Sequence, residues 1–128
     1  MSEFRSHPSF MADCISNCAA CESLCIETLA HCQLRGGNLA KPKLLSLLAV
    51  CADVCALTVR TMQRGSEVHV YINAACAEVC ARCAAACAAY PDDPLLHACA
   101  SACTMCSRCC GDMAKVPARV VEELQRSA

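Results

Sequence analysis

Sixteen cysteines in a chain of 128 residues are the side chains most able to do chemistry in this sequence. They recur in steps of three and four. The stretch CAACESLC, residues 18–25, holds three of them among alanine, glutamate and leucine, which favour helices. Steps of three and four place side chains on one face of an α-helix. The spacing therefore predicts thiols along the inward seam of helices, where leucine and isoleucine ordinarily lie.

Prolines, glycines and caps divide the chain into four predicted helices. Pro94 suits a first helical position, and Ser66 and Asp93 are the expected N-caps of the third and fourth helices. Short connections favour antiparallel neighbours, so we predict one all-α domain over residues 1–128, an antiparallel up-down-up-down four-helix bundle with a short C-terminal helix. The predicted helices span residues 8–35, 42–64, 66–90 and 94–115, and the tail helix spans 117–126.

All four predicted helices carry cysteines at the positions that face the bundle interior. Only Cys109 lies off its seam, one residue before Cys110. Polar side chains such as Asp13 and Glu78 hold outward positions instead. The candidate metal ligands are therefore the cysteines of all four helices: Cys14, Cys18, Cys21, Cys25, Cys32, Cys51, Cys55, Cys76, Cys80, Cys83, Cys87, Cys99, Cys103, Cys106, Cys109 and Cys110.

Seven pairs of these cysteines are four residues apart, and this spacing favours metal binding over disulfide bonds. Side chains at i and i+4 of a helix have Cβ atoms roughly 6 Å apart. A disulfide needs about 3.8 Å between the same atoms. A metal ion that binds each sulfur at a little over ~2 Å spans such a pair more easily.

Two simpler interpretations of the cysteines are weaker. A free buried cysteine is often only a small hydrophobic side chain. Fifteen seam cysteines, however, fill space worse than leucine and are open to oxidation. Four CxxC motifs suggest a zinc site or a thioredoxin-like redox pair. A seam of cysteines produces this spacing automatically, and no βαβ pattern surrounds the motifs.

The charge of a buried thiolate cluster favours a monovalent metal. Only thiolates bind metal, and uncompensated anions in a dry core are prohibitively unstable. Four thiolates around Zn²⁺ leave two negative charges at each isolated site. Cu(I) is soft and accepts two or three thiolates, so bridging thiolates at about one copper per sulfur give a neutral core. Protonated thiols leave the empty core neutral as well, so we predict that folding precedes loading.

The two ends of the predicted seams differ in composition. One end offers thioether and imidazole groups, which are fair ligands for Cu(I), so Met11, Met62, Met113 and His69 are further candidate metal ligands. The residues at this end are Met11, Met62, His69, Asn73, Met113 and, just before the first helix, His7. The other end is mostly aliphatic, so we predict that copper enters and leaves at the Met/His end, although such methionines are often core filler. His31 and His97 lie off the seams and are expected at the surface or at helix ends.

The remaining composition argues against several classes of protein. A formal net charge of −1 gives no basic surface for nucleic acid or an anionic membrane. No run of about 18 uncharged apolar residues is present, so no membrane span is expected. The N-terminus MSEFRSHPSFMADC lacks the features of a signal peptide, which predicts a cytoplasmic protein with reduced thiols. No nucleophile–base set, phosphate loop or open metal triad is present, so we do not expect an enzyme.

The CxxxC pairs on all four helices, over about residues 8–115, resemble those of the bacterial copper storage proteins, which are cysteine-lined four-helix bundles. The resemblance implies storage of multiple Cu(I) ions, mainly by cysteine thiolates, and a homotetramer of bundles. In lacking a signal peptide, the chain resembles the cytosolic branch of this family. That branch also has histidines near one end of the bundle, and His69 is the residue here that fits them best. The second helix departs from the pattern, because it carries only Cys51 and Cys55.

An apolar flank on the second helix independently favours assembly. The residues of this stripe, beside the seam, are Leu47, Val50, Val54 and Leu57. A helix that is apolar on more than one side implies contact with another protein surface. We therefore expect a homo-oligomer.

Copper ions are the predicted partners, and a copper chaperone or a low-molecular-weight thiol is the candidate donor. Two rival functions are a metallothionein-like store of zinc or cadmium and a thiol–disulfide redox protein that uses the four cysteines of residues 103–110. Competitive metal titration separates the first rival, since Cu(I) should displace the other metals. A labile disulfide with measurable turnover would identify the second. A purely structural role predicts negligible metal affinity.

Overall fold

Four long helices form the part of the chain that the structure, a computed structural model, describes: residues 8–115. A short 3-10 helix, Gly37–Ala40, joins the first two helices, and no strand occurs within the described residues. His7 and the tail helix predicted for residues 117–126 lie outside this part of the chain. The helices are α1 (Pro8–Arg35), α2 (Pro42–Arg64), α3 (His69–Ala88) and α4 (Pro94–Met113).

An aspartate and a proline set the start of α4. Pro94 occupies the first turn, where its missing N–H group leaves no hydrogen bond unmade. The Asp93 carboxylate accepts hydrogen bonds from the backbone N–H groups of Leu95 and Leu96 at 3.0 and 3.1 Å. The predicted N-cap is therefore confirmed. Removal of such a cap typically costs about 1 kcal/mol of stability.

The third helix begins later than the sequence predicted, because Ser66 belongs to the end of α2. Gly65 adopts a left-handed conformation, with φ of 63°. The Ser66 N–H group donates to the carbonyl of Thr61 at 3.2 Å, which completes a C-terminal helix cap. Residues 66–68 then form a turn, and α3 begins at His69 rather than at Ser66.

The ends of α3 and α4 also differ from their predicted bounds. α3 ends at Ala88, two residues earlier than expected. The Tyr90 N–H group bonds the carbonyl of Cys87 in a tight turn, and Pro91 disfavours the helical conformation at the residue before it. α4 ends at Met113, again two residues early.

The four helices form a closed antiparallel ring. Each helix packs against the next along the chain, and α1 also packs against α4. Cys14, near the start of α1, has its Sγ 2.9 Å from that of Cys109, near the end of α4. Farther along α1, the Sγ of Cys25 lies 3.8 Å from that of Cys99 near the start of α4. The predicted all-α antiparallel four-helix bundle is confirmed.

Two of the helices, α2 and α3, are long and apolar enough to cross a membrane if length and composition alone are judged. Neither helix contains a run of about 18 uncharged residues. Asp53 and Arg60 interrupt α2, and Glu78 and Arg82 interrupt α3. Both helices bury cysteines in the bundle interior, and core helices of soluble proteins pass the same test.

Candidate metal centre

All sixteen cysteines lie inside the bundle as free thiols. Fifteen have no solvent exposure, and Cys109 is 8% exposed. The outward positions are polar, and Glu78 and Arg82 pair there at 2.8 Å while remaining largely exposed. The helical spacing thus brings thiols from all four helices to one interior column.

The position of Cys109 corrects the expectation that it lies off the seam. Its Sγ is 2.9 Å from the Sγ of Cys14 and 3.3 Å from the backbone carbonyl oxygen of Cys106. Because α4 packs against both α1 and α3, it buries a face wide enough for the consecutive residues Cys109 and Cys110. Spacing in steps of three and four identifies only the residues at the middle of that face, so it misses Cys109.

Twelve of the cysteines form four groups of four sulfurs. Within each group, the four Sγ atoms all lie within 4.8 Å of one another. From the Met/His end, the groups are Cys14, Cys18, Cys109 and Cys110; Cys18, Cys76, Cys106 and Cys110; Cys21, Cys55, Cys80 and Cys106; and Cys21, Cys25, Cys51 and Cys103.

Neighbouring groups share sulfurs. Cys18 and Cys110 belong to both the first and second groups. Cys106 joins the second to the third, and Cys21 joins the third to the fourth. The groups therefore form one continuous column. A shared sulfur can bridge two metal ions, whereas an isolated tetrahedral zinc site needs no such sharing.

The other four cysteines extend this column towards the aliphatic end. Cys99 lies 3.8 Å from Cys25 of the fourth group, and Cys83 and Cys87 are close enough to Cys99 to affect its pKa. Cys32 is buried beyond them. Burial, followed by the nearby charges of Asp93 and Cys99, raises the pKa of Cys32.

The column distributes its protons unevenly. Hydrogen bonding with Cys103 lowers the pKa of Cys51. Hydrogen bonds with the surrounding thiols, Cys21 first, raise the pKa of Cys103, and burial raises it further. A thiolate is stabilised by the S–H groups that donate to it, and the donors are in turn held protonated. Extensive ionisation of the column therefore requires a cation.

The Met/His end of the column contains buried thioether and polar groups. Met62, His69, Asn73 and Met113 are fully buried, and Met11 is nearly so. His69 Nδ1 lies 3.2 Å from Asn73 Oδ1, and the Asn73 amide donates to Met62 Sδ at 3.7 Å. Since the amide oxygen only accepts, Nδ1 donates this hydrogen bond, and in the neutral ring Nε2 is then the nitrogen with the lone pair. Nε2 is buried and has no hydrogen-bond partner within the described part of the chain.

The opposite end is closed by aliphatic packing and a hydrogen bond between side chains. Leu48 and Leu96 are fully buried there. His31 Nε2 lies 2.8 Å from Asp93 Oδ2, which ties α1 to the start of α4. This hydrogen bond is the main reason that the pKa of Asp93 is lowered. His97 is exposed, so both off-seam histidines lie outside the column.

The chain is similar to known proteins over most of its length. A family model described as copper storage protein matches residues 7–115, the segment that holds all sixteen cysteines. The uncharacterized cysteine-rich protein YhjQ of Bacillus subtilis (strain 168) is 35% identical over 81 residues, which is 63% of this chain and 68% of YhjQ.

Two solved structures share both the fold and part of the sequence. The Cu(I)-bound copper storage protein BsCsp3 has 32% identity and a TM-score of 0.78, over 82% of this chain and 98% of its own. The apo form of copper storage protein 3 from Bacillus subtilis has 34% identity and a TM-score of 0.75, over 80% of this chain and 97% of its own. With its sulfur-lined bundle and the match across all of its described residues, the chain belongs to the copper storage protein family.

Proposed function

We propose that this protein stores many Cu(I) ions, about one per cysteine, with the thiolates of all sixteen cysteines as ligands. The observation that carries the proposal is the column in which neighbouring four-sulfur groups share members. A chain of bridging sulfurs suits a soft ion that accepts two or three thiolates. The family supports the same function, and its relative BsCsp3 has been solved with Cu(I) bound.

Within residues 8–115, no buried lysine or arginine lies beside the column to balance its thiolates. Among the described residues, the buried polar side chains are Thr28, Thr58, Thr61, His69 and Asn73. Each threonine hydroxyl donates to the carbonyl four residues earlier. The bound metal must therefore supply the balance. One Cu(I) per bridging thiolate does so, whereas isolated four-thiolate zinc sites each keep two negative charges.

Anaerobic titration of the reduced protein with Cu(I), against a competing chelator, tests the proposal. We expect about one tightly bound copper per cysteine and displacement of bound zinc or cadmium by Cu(I). Saturation at about four ions, or zinc that resists displacement by Cu(I), would support the metallothionein-like store instead.

Each bound copper is expected to release about one proton at neutral pH. The raised pKa of thiols such as Cys103 keeps their protons in place until Cu(I) displaces them. Binding should therefore weaken as the pH falls, because protons compete with copper for the same sulfurs. Loading in a weakly buffered solution with a pH indicator gives the ratio of protons to copper. A ratio near zero would indicate that neutral ligands hold the metal.

The Met/His end is the proposed route by which copper enters and leaves. Its four candidate ligands, Met11, Met62, Met113 and His69, are soft or imidazole donors. The first sulfur group follows within one helical turn, since Cys14 is three residues after Met11 and Cys110 is three before Met113. Asn73 accepts from Nδ1 of His69, so the neutral ring offers the lone pair of Nε2 to a passing ion.

Replacing Met11, Met62, Met113 and His69 with leucine is expected to slow loading about tenfold, the effect of losing about 1.4 kcal/mol of transition-state stabilisation. Capacity should remain nearly intact, because the thiols are unchanged. Stopped-flow transfer of Cu(I) from a chelator measures the rate. As a control, Leu48→Met with Leu96→Met at the opposite end should leave the rate unchanged. An unaltered rate in the fourfold variant would exclude this route.

We further propose that the protein is cytoplasmic, has no enzymatic activity, forms one domain over the whole chain and assembles as a homotetramer. The stripe on α2 supports assembly, since Val50 and Leu57 are 47% and 42% exposed within a single chain. A copper chaperone or a low-molecular-weight thiol would supply the metal. Light scattering of the empty and loaded full-length protein tests the assembly, and a single-chain mass would contradict it.

A further inference from the structure

Cys14 and Cys109 make the tightest thiol contact in the described part of the chain. Their Sγ atoms lie 2.9 Å apart. The next shortest sulfur–sulfur contact, between Cys18 and Cys110, is 3.3 Å. Since a disulfide places its sulfurs about 2.05 Å apart, a small movement of two side chains separates this contact from a covalent bond.

Cys109 is also the least buried of the sixteen cysteines. It is 8% exposed, whereas the other fifteen cysteines are fully buried. The reactivity of a thiol depends on its access to solvent as well as on its ionisation. The pair thus combines the least buried cysteine with a fully buried partner, Cys14.

Other thiol contacts lack one of these two properties. Cys76 and Cys80, at 3.7 Å, are four residues apart on the same helix, a spacing that suits a disulfide poorly. Cys25 and Cys99 belong to different helices, but they are 3.8 Å apart and have no exposure. The closest approach across helices and the least buried cysteine coincide at Cys14 and Cys109.

We propose that Cys109 and Cys14 form a redox site whose substrate is a low-molecular-weight disulfide. The Cys109 thiolate attacks one sulfur of the small disulfide, its S–S bond breaks, and one small thiolate leaves. The Cys14 thiolate then attacks the Cys109 sulfur and expels the second small thiolate. Two protein thiols are oxidised to a disulfide, the small disulfide is reduced to two thiols, and the two protein protons pass to the departing thiolates.

The disulfide between Cys14 and Cys109 changes the sulfur column at its Met/His end. Cys14 and Cys109 are half of the first four-sulfur group. The disulfide withdraws both ligands and links α1 to α4 beside the proposed route, while the deeper groups keep their thiols. Loading of the empty protein then depends on the balance of small thiols and disulfides around it. The redox site goes beyond the proposed storage function and rests on it only for this consequence.

The test uses the reduced, metal-free full-length protein, with oxidised glutathione as the probe. Mass spectrometry of unreduced peptides follows each disulfide with time. We expect the disulfide between Cys14 and Cys109 to form about tenfold faster than any other. The variant C109S should lose this fast phase. The control C99S, which removes a fully buried thiol from the same helix, should keep it, and circular dichroism checks that both variants fold.

Copper loading provides the second measurement. The oxidised protein should bind about two fewer Cu(I) ions and load more slowly, and dithiothreitol should restore both. Uniform oxidation of the thiols, a first disulfide elsewhere, or unchanged loading after oxidation would overturn the proposal. The storage function is tested independently by C14S/C109S, which should still bind Cu(I) at the remaining cysteines.

Discussion

Loading with Cu(I) is expected to raise the midpoint of thermal unfolding by more than about 20 °C, while the helical circular dichroism signal barely changes. Each four-sulfur group draws its ligands from at least two helices, so unfolding would separate ligands of the same ions. An ion that binds only the folded state adds about 4 kcal/mol per site at a thousandfold excess over Kd. Helicity should stay constant, because neutral thiols already pack the interior of the empty bundle.

Thermal melts of the empty and loaded protein, followed by circular dichroism, measure both quantities. Mg²⁺ prefers oxygen ligands over thiolates, so the same protein with excess Mg²⁺ is the control and should show no shift. A large gain of helix on addition of copper would contradict a bundle that forms before loading. An unchanged midpoint would contradict ligands that connect the helices.

The positions of most thiols were predictable because they depend on local geometry. Steps of three and four keep Cys18, Cys21 and Cys25 on one helical face whatever the neighbouring helices do. The start of α4 is equally local, since Asp93 caps the N–H groups of the residues that directly follow it. The soft monovalent metal was also predictable, because the argument depends on the charge of the thiolates. It requires only that the thiols are buried together.

Features that depend on contacts between helices were not predictable in the same way. Cys109 is buried because α4 packs against two neighbours, which the spacing within α4 does not reveal. His31 pairs with Asp93 across 62 residues of chain, and no local pattern connects them. Ser66 is suited to both the end of α2 and the start of α3, and the left-handed Gly65 decides between them.

The sharing of sulfurs between groups also depends on how the helices are aligned along the bundle axis. Each seam fixes the height of a thiol on its own helix, but the relative shift of the helices decides which thiols meet. Cys106 of α4, for example, lies 3.4 Å from Cys18 and 3.8 Å from Cys55, on α1 and α2. The structure therefore adds a property that the sequence lacks: it distinguishes thiols that join two groups from thiols that belong to none.

Replacing Cys18, Cys21 and Cys106, three of the four shared cysteines, with serine is expected to lose about twice as many copper ions as thiols removed. Between them these residues belong to all four groups, so every group loses a ligand. The second and third groups, which lose two each, keep only two sulfurs. Copper that depended on a bridging sulfur then loses its second or third thiolate. Titration against a chelator, with metal analysis after gel filtration, measures the loss.

The matched control replaces Cys32, Cys83 and Cys87 with serine, because these three belong to none of the four groups. Both variants lose three fully buried thiols to a side chain of similar size, so general effects on packing should be comparable. The control is expected to lose about one copper per thiol. Equal losses in the two variants would mean that each thiol binds copper independently. The continuous column would then be a consequence of helical packing, and the bridging that keeps the loaded core neutral would have no basis.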